Sequence, residues 1–219
     1  MLRYKITVLF ILLISICTFN FVEAGTNELP LLGKVIYLDP GHGGLDPGAM
    51  YKNIKEKNIN LQISKNLEKR LTKLGAIIYL TRYDDYDLSV NNTINRKRSD
   101  LSRRGNIINK SDCDLFLSIH LNAENTGIWK GAQTFYNTNN KENKKIAELL
   151  QQQFKEDLNS KRKAKNKNDL YLQKRINRPG VLIEVGFLSN ASERYLLKQE
   201  KYQDKVTLSI ANALLKYFK

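Results

Sequence analysis

Only two histidines occur in this 219-residue chain, and both stand where a β-strand should end. His42 follows the run Val35 to Gly41, and His120 follows Leu115-Phe116-Leu117-Ser118-Ile119. A third apolar run, Val181-Leu182-Ile183, leads straight into Glu184. Two histidines at strand ends, with a carboxylate in the same kind of position, point to one cleft with metal or acid–base chemistry. A catalytic zinc site takes three protein ligands and keeps one position open for water. The histidines supply two. No second free cysteine is available, so the third ligand is expected to be a carboxylate. Glu56, near the start of the helix after the glycine-rich loop, is the candidate, though the spacing fits equally a first-turn glutamate answering the helix dipole. Glu184 is read differently. Its neighbours Val181, Leu182, Ile183 and Val185 would raise a carboxyl pKa, which suits a group that takes a proton from water and passes it to a leaving amine.

The segment from Asp39 to Ala49 carries four of the chain's 12 glycines and two of its four prolines. Glycines permit close backbone approach and positive φ, and prolines fix turns, so this reads as a rigid ligand-holding loop. A phosphate-binding loop is excluded because its lysine and Ser/Thr are missing.

The elements that must position these residues alternate along the chain. Strands are expected over Val35–Leu38, Ala76–Leu80, Leu115–Ile119, Ala132–Tyr136 and Val181–Val185. Helical spacing links Ile59, Ile63, Leu67, Leu71 and Leu74 up to Gly75, and further helices are expected over Lys141–Leu158 and Tyr202–Phe218. This pattern predicts a single α/β domain with a mostly parallel or mixed sheet, helices on both faces, and the site at the carboxyl ends of the strands. Tyr83–Asn95 and Lys161–Asn168 read as loops.

A length of 219 residues, with 42% apolar and 26% charged residues, suits one globular catalytic domain. Arg3 and Lys5, the apolar run Ile6–Val22 and the exit Val22-Glu23-Ala24 read as a signal peptide over 1–24. An uncleaved N-terminal anchor is the alternative, and the only membrane attachment expected. A lipoprotein reading through Cys17 is disfavoured by the bulk of Ile16. Residues 25–33 are expected as a short linker and 34–219 as the catalytic domain. Cys113, the one cysteine past the signal, is read as a small buried hydrophobe.

Several motifs in combination resemble the zinc-dependent N-acetylmuramoyl-L-alanine amidase family of the Amidase_3 type. They are the Asp39-Pro-Gly-His-Gly-Gly loop, Glu56 before Asn60-Leu61, Thr81-Arg82 with Asp85, Leu101 with Arg104 and Asn109, Ser118-Ile-His-Leu-Asn-Ala, and Ile183-Glu-Val-Gly-Phe-Leu-Ser-Asn. The resemblance runs from about Lys34 to Phe218. It implies one zinc ion on His42, Glu56 and His120, with Glu184 as the catalytic glutamate. The implied reaction is hydrolysis of the amide between the lactyl group of N-acetylmuramic acid and L-alanine. Asn122, Arg178 and Leu170 are the expected substrate contacts. No wall-binding repeats are expected, and the span from Tyr136 to Val181 leaves little room for a long blocking helix. That lean layout resembles the sporulation amidases, which help make muramic-δ-lactam in spore cortex. Action is then expected outside the cytoplasmic membrane, at the wall or in the intermembrane space of the forespore.

The formal charge of +14 speaks to anionic partners and not to fold. Peptidoglycan carboxylates are the expected attraction for the Lys161-Arg-Lys-Ala-Lys-Asn-Lys run. Nucleic acid is excluded by the export segment and by the absence of a recognised binding motif. A second class of function stays open: a wall-binding or scaffold protein of low activity, whose metal site an activating partner must order. A metalloprotease is disfavoured, since no His-Glu-x-x-His helix is present.

Overall fold

The computed structural model describes residues 29–219. The expected signal segment and the first part of the expected linker lie outside those residues. From residue 29 onward the chain is already engaged: Leu31 is fully buried in the core and its amide donates to the Leu74 carbonyl.

Strand β1 (Val35–Pro40) leads into the glycine-rich loop, and a hairpin of β2 (Met50–Tyr51) and β3 (Ile54–Lys55) follows it. Helix α1 (Glu56–Lys73) buries Ile59, Ile63, Leu67 and Leu71 on one stripe. Gly75, at φ +95°, then turns the chain into β4 (Ile77–Leu80). Helix α2 (Arg96–Lys110), β5 (Leu115–Asn122), β6 (Gln133–Tyr136) and α3 (Glu142–Leu158) come next. The short β7 (Lys165–Asn166) and α4 (Tyr171–Arg175) precede β8 (Gly180–Phe187), α5 (Ala191–Leu197) and α6 (Glu200–Tyr217).

The main sheet runs β4-β1-β5-β8-β6-β7. Its first four strands are parallel, and β6 is antiparallel to β8. Period-two alternation sorts the side chains. Ile36 and Leu38 of β1, Leu115, Leu117 and Ile119 of β5, and Val181, Ile183 and Val185 of β8 join the larger core with residues of α1, α3 and α6. The alternate residues, Asp39, Ser118, His120, Leu182 and Glu184, therefore face the other side, towards α2 and α4. A smaller core of Ile108, Cys113, Phe116, Leu172 and Ile176 fills that side, with Cys113 buried as expected.

Two differences from expectation bear on the site. The β5 strand runs on through His120 to Asn122, so His120 sits within the ladder, paired with Glu184. Helix α2 was not marked by apolar spacing. Its buried positions are Asp100, Arg104, Gly105 and Ile108, and its start is set by Asn95, whose side chain accepts from the Arg98 amide.

Candidate active site

His42 lies two residues beyond β1 in the left-handed region, at φ +63°, a conformation that costs a non-glycine residue energy and needs support. Two guanidinium groups supply it. Arg82 donates from Nε to the Pro40 carbonyl at 3.0 Å and from Nη2 to the Gly41 carbonyl at 3.0 Å. Arg104 donates from Nη1 to the Pro40 carbonyl at 2.8 Å and from Nη2 to the His42 carbonyl at 2.6 Å. Three successive carbonyls are thus held, and the loop cannot drift without breaking charge-assisted bonds. A Cβ on Gly41 would come within 2.2 Å of the His120 ring, so only glycine lets the two histidines approach.

Arg104 is itself fixed by buried carboxylates. Its Nη1 lies 2.8 Å from Asp39 Oδ1, and its Nε 2.9 Å from Asp100 Oδ2. Thr81 and Ser118 hydroxyls also donate to Asp39, each at 2.7 Å. Burial alone would raise the Asp39 pKa, but the Arg104 charge together with the hydrogen bonds from Thr81, Ser118 and Arg104 outweighs it and holds the carboxyl at about 2.

Around this frame the donors converge. His42 Nε2 is 3.2 Å from Glu56 Oε1, and His120 Nδ1 is 3.1 Å from the same oxygen. One ligand atom from each of the three residues lies within 4.8 Å of the others. Glu56 is the first residue of α1 and is buried. Its Oε1 accepts from the Leu121 amide at 2.9 Å and its Oε2 from the Ala49 amide at 2.8 Å. Burial would raise its pKa, and the hydrogen bonds from His120 and His42 reverse this, driving it well below the usual carboxylate range. On the far side of His42, Nδ1 meets Asp46 Oδ2 at 2.8 Å. Burial would lower the His42 pKa, yet the bonds to Asp46 and Glu56 lift it to about 9. Two imidazoles and a carboxylate anchored from behind suit a divalent ion such as zinc, with one histidine oriented by an outer carboxylate.

Beside the cluster, Glu184 has its pKa pushed up to about 7, first by burial, against the opposing pull of His120. Its Oε2 is buried and has no hydrogen-bond partner. It lines a cavity of about 230 Å³ together with His42, His120, Leu101, Leu170, Leu182 and others from α2 and α4.

The family model described as N-acetylmuramoyl-L-alanine amidase, Amidase_3, matches residues 36–216. The chain belongs to that family. It is an N-acetylmuramoyl-L-alanine amidase, an enzyme of peptidoglycan. It is 43% identical over 216 residues to the germination-specific N-acetylmuramoyl-L-alanine amidase of Bacillus subtilis, covering 95% of this chain and 91% of that one. The CwlD amidase of Clostridioides difficile, solved in complex with the GerS lipoprotein, superposes with a TM-score of 0.80 at 40% identity, over 84% of this chain and 98% of that one. The catalytic domain of CwlV from Bacillus (Paenibacillus) polymyxa superposes at 0.73 with 28% identity, over 84% and 97% of the two chains.

Within this amidase, His42, Glu56, His120 and Glu184 come together. Leu170 joins the cavity wall. Asn122 ends β5, where its carbonyl accepts from the Leu188 amide, and it is not among the residues lining the cavity. Arg178 corrects an expectation. It precedes β8 at the amino end of the sheet, away from the cleft, and its guanidinium pairs with Asp112 at 3.1 Å. Asp46, Arg82 and Arg104 were not expected as supports. For Asp46 the available signal was its place four residues after His42 within one rigid loop.

Proposed function

We propose that residues 34–219 form a catalytic domain that hydrolyses the bond between the muramic acid lactyl group and L-alanine, with one zinc ion held by His42, Glu56 and His120. The observation that carries this reading is the convergence of three donor atoms within 4.8 Å beside a carboxyl whose pKa is raised to about 7. Zinc bound there would supply Lewis acidity, bringing water towards a neutral pKa and polarising a carbonyl. Glu184 accepts the proton of the attacking water and delivers it to the departing alanine amine. Asp46 holds His42 in the tautomer that presents Nε2 to the metal.

Treatment with a chelator should therefore abolish stem-peptide release from purified peptidoglycan, and added zinc should restore it. Undiminished release from metal-free protein would overturn the reading. A second expected outcome concerns Asp46→Asn, which should weaken zinc binding by about 10- to 100-fold, read by competition with a chromophoric chelator. Unchanged affinity would remove Asp46 from its orienting role.

The likeness to germination and CwlD amidases supports a place in cortex modification and muramic-δ-lactam formation, with export through residues 1–24 to the wall or the forespore intermembrane space. Among the described residues no helix is long and apolar enough to cross a membrane. The donors stand assembled in the isolated chain, which disfavours the scaffold reading. The lipoprotein bound to the C. difficile relative supports a protein partner here too. Exposed Lys161, Lys163 and Lys165 are suited to hold the enzyme near anionic wall polymer.

A further inference from the structure

A trans amide directs its two substituents apart, so the glycan and peptide arms of the substrate need separate room. On the reading above, Glu184 returns its proton to the alanine amine. The peptide therefore departs on the side of Glu184, where the 230 Å³ cavity lies. A second cavity of about 490 Å³ shares none of its lining with the first. Ala49, Met50, Tyr51, the segment Ala123–Gly127, Leu188 and Ser189 surround it. It abuts the donor cluster, because Ala49 donates to Glu56 Oε2 and Ala123 directly follows the end of β5.

We propose that this second cavity seats the glycan, with Tyr51 as the platform for an N-acetylated sugar ring. Tyr51 and Met50 are 41% and 55% exposed, and the core has no use for either. The Tyr51 ring is backed by the Arg194 guanidinium, 3.4 Å from its centroid. Arg194 is anchored in turn on the Leu188 and Ser189 carbonyls at 2.9 and 3.0 Å. Lys52 Nζ is more distant, 6.0 Å from the ring centroid, so a ring braced closely by Arg194 alone can still meet the C–H face of a sugar, and aromatic side chains with a few polar groups are the usual lining of a ligand site. The opposite wall is equally fixed. Asn190 Nδ2 donates to the Gly127 carbonyl at 2.9 Å, and the Glu124 amide to Ser189 Oγ at 3.2 Å. Glu124 Oε2 accepts from the Thr126 amide and hydroxyl, each at 2.6 Å, which fixes the turn that forms this wall.

The test uses the full chain carrying Glu184→Gln, so that binding is measured without turnover. Peptide-free glycan strands and the free stem peptide are the two probes. Adding Tyr51→Ala should weaken glycan binding roughly tenfold and leave peptide binding unchanged, while Tyr51→Phe should retain both. Glycan binding that Tyr51→Ala does not alter, an equal fall for both probes, or no glycan binding by the parent chain would overturn the assignment. The amidase reading is judged separately, by stem-peptide release from the chain with Glu184 intact.

Discussion

Glu184→Gln should lower the rate of stem-peptide release by about 10²- to 10⁴-fold, the usual worth of a positioned acid–base group. The change is nearly isosteric and removes only the capacity to exchange a proton. Val181, Ile183 and Val185, packed into the core on the other face of the strand, keep β8 in place whichever residue stands at 184. Zinc affinity should hardly move, because the converging donors are His42, Glu56 and His120. Activity measured on peptidoglycan, with zinc content determined on the same sample, separates the two effects. Loss of zinc together with activity would make Glu184 a ligand and not the proton carrier.

Arg104→Met should cost about 3–5 kcal/mol of stability, the range for removing one partner of a buried ion pair. Arg104 and Asp39 are each 1% exposed, so the Asp39 carboxylate would be left largely desolvated without its guanidinium partner. Asp39 would then keep only the Thr81 and Ser118 hydroxyls, and the carbonyls of Pro40 and His42 would lose their Arg104 donors. The denaturation midpoint should fall accordingly, and a loss under about 1 kcal/mol would contradict the account of a desolvated pair. The sign of the pH dependence follows from Asp39. Its folded pKa of about 2 lies below the ordinary aspartate value of 3.8, so its stabilisation is present above that value and is lost as pH falls through about 2. In Arg104→Met the carboxyl loses the charge that depresses it, and the acid sensitivity between pH 4 and pH 2 should shrink.

How far the sequence reached depended on what each element buries. Helix α1 was legible because Ile59, Ile63, Leu67 and Leu71 repeat along one stripe, and β1, β4, β5 and β8 because β-branched and leucine runs fill them; the two-residue β2, β3 and β7 carry no such run, and β7 lies in the segment Lys161–Asn168 read as a loop. Helix α2 escaped notice because it turns charge inward: Asp100 and Arg104 occupy positions where apolar side chains would have marked a helix. The same inversion hid the supports of the site. Arg82 and Arg104 stand out in the sequence only through the family motifs; what they hold, the Pro40–His42 carbonyls, shows only in the fold. Arg178 went astray for a simpler reason. It stands six residues before Glu184, but along a strand that distance is about 20 Å, the span from one end of the sheet towards the other. His42, His120 and Glu184 stood out because parallel strands gather their carboxyl ends, whatever the loops between them do, whereas Glu56, at the start of α1, was set apart from an ordinary first-turn glutamate only by the family resemblance.

The central claim is that one metal sits among His42, Glu56 and His120 with Glu184 beside it as a free carboxyl. Anomalous X-ray scattering at the zinc edge from crystals grown with zinc tests it most directly. A single peak bounded by those three side chains, with Glu184 outside the coordination sphere, is the predicted result. A peak elsewhere, or one that engages Glu184 in place of Glu56, would contradict it.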